Sequence, residues 1–132
     1  MLTIIPVCGI FARMNTTPNK EKKDIRSATI CGMSYDARKE LEDQCEFLSK
    51  DCGVSLVMIG TDDERNALSA AIVGYDNATS SLIYDYDKLV ECFMEWEDMT
   101  EEEAVEWVEY NTIRSLPYIK EGRPIIMNKF DL

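Results

Sequence analysis

Histidine is missing from all 132 residues. Ser-His-Asp and Cys-His nucleophile arrangements are thereby excluded, and any general base must be Asp, Glu, Lys or Tyr. Cysteine is present but irregular. Cys8, Cys31, Cys45, Cys52 and Cys92 are odd in number and dispersed, which argues against a disulfide framework. Cys45 and Cys52 lie seven apart with no histidine to complete a zinc motif, so no metal is expected. No apolar run reaches the length of a membrane span. The start, MLTIIPVCGIF, is short, and Arg13 follows it where a secretory leader would place the charge first. The expectation is a chain in the cytoplasm of the cell that expresses it. Neither a Walker nor a dinucleotide fingerprint occurs, so no cofactor is implied. No repeat, low-complexity tract or linker divides the chain, and its length suits one domain that buries a real core.

Positive charge is scarce where it would be most needed. Residues 1–60 carry 8 basic and 8 acidic side chains, whereas residues 61–132 carry 6 and 17, so the whole net charge of −11 lies in the second half. Such a surface repels nucleic acid and anionic membranes and attracts basic partners, including the nucleic-acid-binding grooves of other proteins.

The acids concentrate further. Between positions 85 and 109 stand eleven carboxylates and one cation, Lys88. The apolar spacing there predicts two helices hinged at Met99-Thr100. In the first, Leu89, Phe93 and Trp96, with Val90 and Met94, make an apolar face, while Asp87, Glu91, Glu95 and Asp98 recur on another side. Thr100 followed by Glu103 is a capping box that starts the second. Its Ala104, Val105, Trp107, Val108 and Thr112 turn inward, Glu102, Glu106 and Glu109 form another acidic row, and Leu116-Pro117 ends it. Like charges at i and i+4 cost about a few tenths of a kcal/mol per pair. Either apolar burial outweighs this and the acids are a solvated face, or the row matches a basic surface.

At the end of that helix, EYNTIR places the poor helix formers Asn111 and Thr112 beside Arg114, the one cation there. These side chains either tie down a helix terminus or form a recognition patch of Tyr110, Asn111, Arg114 and Tyr118. The candidate binding set is therefore Glu91, Glu95, Asp98, Glu102, Glu106, Glu109, Tyr110, Asn111, Arg114 and Tyr118, with no catalytic residue among them. Exposure of Trp96, Trp107 or Tyr118 would favour a homodimer or a partner site.

The first half reads as a small βαβ unit, giving an α/β class with α+β as the neighbouring choice. Runs at 2–8, 27–33 and 54–59 suit strands. Ser34 caps a helix that Gly53 stops, with Ala37, Leu41, Cys45 and Leu48 on one side and Phe47 beside them. The strands at 27–33 and 54–59 are expected to be parallel neighbours. Cys31-Gly32-Met33-Ser34 would then offer glycine and a helix start to an anion, whereas Gly60-Thr61-Asp62-Asp63 would repel one. A Cys31 thiolate activated by that helix start is the best candidate for a weak hydrolase. Lys20, Lys22 and Lys23 form a small basic cluster in a polar loop. Further on, Thr61 and Glu64 make a second capping box, a hairpin spans 71–84 around Asp76-Asn77-Ala78-Thr79-Ser80, and 124–130 returns as a strand-like segment.

Residues 70–127 resemble a family of small uncharacterised proteins encoded by phages, prophages and some archaeal elements. The resemblance rests on GYD at 74–76, YDYDKLVE at 84–91, MTEEEAVEWVEYNTIRSLPY at 99–118 and PIIM at 124–127. It implies a mobile-element origin and supplies no catalytic residues. By association it implies an inhibitor or regulator of host machinery, of the kind that blunts host defence. The expected function is a non-enzymatic accessory protein whose acidic surface binds a host protein with a basic surface, mimicking nucleic acid, with neither nucleic acid nor membrane as direct partner. The alternative is a small-anion or signal-nucleotide binder using the βαβ half.

Overall fold

The computed structural model of the chain describes residues 2–5, 24–53 and 56–130. Ser34 and Gly53 bracket helix α1 (Tyr35–Cys52) as expected. Ser34 is extended and its hydroxyl accepts from the Ala37 amide at 3.3 Å, and Gly53 closes the other end at φ 65°, a left-handed conformation that glycine tolerates. The buried row of α1 is Arg38, Glu42, Cys45 and Ser49, shifted from the row of 37, 41, 45 and 48, and Phe47 is 68% exposed. Polar partners explain the shift. Arg38 Nε donates to Asn66 Oδ1 at 2.9 Å, the Asn66 amide donates to Glu42, and Arg65 Nε pairs with Glu42 Oε2 at 2.8 Å, so α1 docks through a connected polar network.

Strand β1 (Leu2–Ile5) pairs in parallel with β2 (Leu56–Ile59), Leu2 opposite Leu56 and Ile5 opposite Ile59, with α1 in the crossover. The βαβ connection is present with a different first strand. The segment at 27–33 is a turn: Ile30 and Met33 exchange two backbone hydrogen bonds of 3.1 and 2.9 Å across Cys31 and Gly32, both at positive φ, 50° and 76°. Two left-handed residues in a row make a tight reversal that a strand cannot contain. Arg38 Nη1 and Nη2 then take the carbonyls of Ile25, Ala28 and Met33 that a neighbouring strand would have used. The polar loop with Lys20, Lys22 and Lys23 and the end of the expected first strand lie outside the described residues.

Helix α2 (Asp62–Ser69) leads to β3 (Ile72–Asp76) and β4 (Ser81–Asp85), antiparallel with a bulge between Ile72 and Gly74. The Asp76 carboxylate organises the turn, accepting from the Ala78 amide at 3.0 Å and the Thr79 hydroxyl at 2.8 Å. Strand β5 (Ile125–Met127) adds in parallel to β4, so the sheet is mixed with order β3-β4-β5. Helices α3 (Tyr86–Trp96) and α4 (Glu101–Trp107) follow the hairpin, and α4 passes into a π turn, Val108–Thr112, and a 3₁₀ segment, Ile113–Tyr118. The architecture is α+β.

The core is shared by both halves: Leu56, Met58 and Ile59 of β2 meet Leu68 of α2, Leu82 and Tyr84 of β4, and Leu89 and Phe93 of α3. The Ile59 amide donates to the Tyr84 hydroxyl at 3.0 Å, tying β2 to β4. Phe93 and Trp107 rings, 6.4 Å apart and tilted by 56°, join α3 to α4. Among the described residues no helix is long and apolar enough to cross a membrane.

Candidate functional site

Asp85 starts the acidic region. It is the last residue of β4 and the cap of α3, its carboxylate accepting from the amides of Asp87 and Lys88 at 2.9 and 3.3 Å and pairing with Lys129 Nζ at 2.8 Å. Burial alone would raise this carboxyl, but the Lys129 pair and the amides outweigh it and hold it below its ordinary value. Helix α3 ends where Asp98 turns left-handed at φ 53°, Met99 is buried, and the capping box forms. The Glu103 amide donates to Thr100 Oγ1 at 3.2 Å and the Thr100 amide to Glu103 Oε1 at 2.9 Å.

Around α4 the surface opens into a groove of about 820 Å³ lined by Glu101, Glu102, Val105, Glu106, Glu109, Tyr110, Ile113 and Arg114. A second hollow of about 370 Å³, between α3 and α4, shares Glu101 and Val105 and adds Tyr86, Asp87, Val90, Glu91 and Met94. The two make one acidic face with an apolar floor. Glu101, Glu102 and Glu106 are exposed and make no ion pair or hydrogen bond among the described residues. Glu109 accepts from the Tyr86 hydroxyl at 2.8 Å, and burial followed by Glu109 pushes that phenol up to about 12. Arg114 stacks over Tyr110, 4.8 Å from the ring centroid.

The expected binding set thus divides. Glu102, Glu106, Glu109, Tyr110 and Arg114 line the larger groove, and Glu91 the smaller one. Asp98 sits at the hinge and Tyr118, 86% exposed, beyond the groove at the 3₁₀ end. Asn111 is buried, contrary to its place in the expected patch. The helix expected to run to Leu116-Pro117 widens at Val108–Thr112, and Asn111 Oδ1, Asn111 Nδ2 and Thr112 Oγ1 have no partner among the described residues. Pro117 lies inside the closing 3₁₀ segment, where it does not stop the chain one residue earlier.

Glu95 and Glu91 also face elsewhere. Glu95 Oε1 accepts from the Cys31 amide at 3.1 Å, and the Cys31 sulfur lies 3.5 Å from Cys92 Sγ and 3.6 Å from the Lys88 carbonyl oxygen. Ligand atoms of Cys31, Glu91 and Glu95 all fall within 4.8 Å of one another. A hydrogen bond with Glu95, followed by burial, raises Glu91, and Cys92 is pushed well up by its bond to Cys31, by burial and by both acids. Cys31 does not stand at the start of α1, where activation by the helix was expected; its sulfur lies against α3. Sequence reasoning missed this cluster because its cysteines are 61 residues apart. The only trace was Glu91, Cys92 and Glu95 on adjoining positions of one helix.

The chain matches no family model, no curated protein and no solved structure. What it binds must be read from these two surfaces.

Proposed function

We propose that this is a non-enzymatic accessory protein that binds a basic surface of another protein through the acidic face of α3 and α4. The observation that carries the reading is the row of Glu101, Glu102 and Glu106, exposed and without partners among the described residues, along a groove floored by Val105 and Ile113. Like charges held this close repel, and lysines or arginines of a partner relieve that repulsion while an apolar side chain fills the floor. In keeping with the phage-type resemblance, the partner is a host protein, inhibited or regulated in the host cytoplasm, whose basic surface otherwise grips nucleic acid. The small-anion reading is weaker, because Glu95 already holds the Cys31 amide that an anion at the 30–33 turn would use.

A pull-down from host lysate at low salt, repeated with a Glu101→Gln, Glu102→Gln, Glu106→Gln variant, tests this. The expected result is a basic protein whose affinity falls about tenfold or more in the variant and falls with added salt. Capture that is equal for parent and variant at every salt concentration would sink the proposal.

A further inference from the structure

We infer that Cys31, Cys92, Glu91 and Glu95 form a binding site for a divalent cation of the zinc class, which clamps the 30–33 turn onto α3. Two of the donors are sulfurs brought together from distant segments. Their separation of 3.5 Å is close to the roughly 3.8 Å between two sulfurs at zinc–sulfur bonds of about 2.3 Å in a tetrahedron. The other two are carboxylates within 4.8 Å of the Cys31 sulfur, and Glu95 can ligate through one oxygen while the other holds the Cys31 amide.

The donor set selects the metal class. Calcium and magnesium take oxygen ligands, and copper(I) takes soft sulfur alone. Thiolate with carboxylates suits a borderline cation such as zinc: Cys31, Glu91 and Glu95 bring three ligand atoms together, and Cys92, 3.5 Å from the Cys31 sulfur, stands beside them as the fourth. The site is also built in advance. Arg38, 0% exposed, fixes the turn by donating to the carbonyls of Ala28 and Ile25 at 2.9 Å and Met33 at 2.6 Å, so the Cys31 sulfur meets Cys92 without a search. Oxidation to a disulfide is the competing fate of two close thiols. The two flanking carboxylates add negative charge that attracts a cation to the pair.

The test is titration of the reduced, metal-free full chain with cobalt(II) in the absence of air, followed by zinc. One equivalent of cobalt should bring up a thiolate-to-cobalt charge-transfer band that zinc abolishes, and zinc should raise the melting temperature by several degrees. Cys31→Ser with Cys92→Ser should remove both responses. Glu95→Gln should weaken cobalt binding by more than about tenfold, the least expected even for loss of an outer-shell group. Cys45→Ser, which alters a buried thiol of α1, should leave the band intact. A parent chain that shows neither band nor zinc-dependent melting overturns the inference, as does a band that survives the double variant. So does a pair that closes to a disulfide in air and ignores both metals when reduced.

Discussion

Glu64 shows how the right letters can lead to the wrong bond. Thr61 and Glu64 have the spacing of a capping box, yet Thr61 makes no side-chain cap, Asp62 sits left-handed at φ 51°, and Glu64 Oε1 is buried without a partner among the described residues. With Asp62 so placed, the first turn lacks the geometry the motif requires. Burial, followed by nearby Glu97, pushes the Glu64 carboxyl from 4.5 up to about 7. The folded state then binds more protons than the unfolded one between these values, so its stability falls as pH rises from about 4.5 to about 7 and stays lower above that. Glu64→Gln should remove this loss and be more stable than the parent at pH 8 by about 1–3 kcal/mol, as read by urea unfolding, with little difference at pH 4. Equal stability at pH 8 would mean that water reaches the carboxylate. Arg38 is the converse case. Nothing in YDARKELE separates it from Lys39, yet Arg38 is fully buried with four acceptors, and Lys39 is exposed in a surface pair with Asp43.

Elements whose ends are set by local chemistry were legible. Ser34, Gly53 and the Thr100–Glu103 box mark helix ends as expected, and the hairpin at Asp76 and the apolar run of β2 also stand where the pattern put them. The turn at 27–33 was not legible, because the side chain that opposes a strand there comes from α1. The π turn was half legible: Asn111 and Thr112 are poor helix formers, but widening the helix instead of ending it depends on packing. An unpartnered buried amide costs about 1–3 kcal/mol. Asn111→Leu, of similar shape though larger, should therefore raise stability by about 1 kcal/mol in thermal unfolding; a loss of similar size would reveal a partner for the amide.

Across the whole molecule, charge was the most readable property and long-range contact the least. Asp87, Glu91, Glu101, Glu102, Glu106 and Glu109 line the two adjoining hollows, whereas Glu95 turns to the Cys31 amide and Asp98 sits at the hinge, and the Cys31–Cys92 contact could not be inferred from any local pattern. Aromatic exposure was uneven too: Trp107 is buried, Trp96 half-buried and Tyr118 exposed. A net charge of −11 makes the folded chain repel itself. Raising sodium chloride from about 0.02 to about 0.5 M should shorten the reach of that repulsion and raise the melting temperature by a few degrees. A melting temperature that is flat or falling with salt would show that the acids are already neutralised within the fold.

Strand β4 runs into α3 without a single intervening residue, Asp85 serving as the last rung of one and the cap of the other. Strand and helix therefore move as one lever whose fulcrum lies in the core. The acids of α3 cannot be re-aimed without dragging Leu82 and Tyr84 through packed side chains. On the proposed reading, their orientational freedom is surrendered at folding, so little remains to be lost on binding.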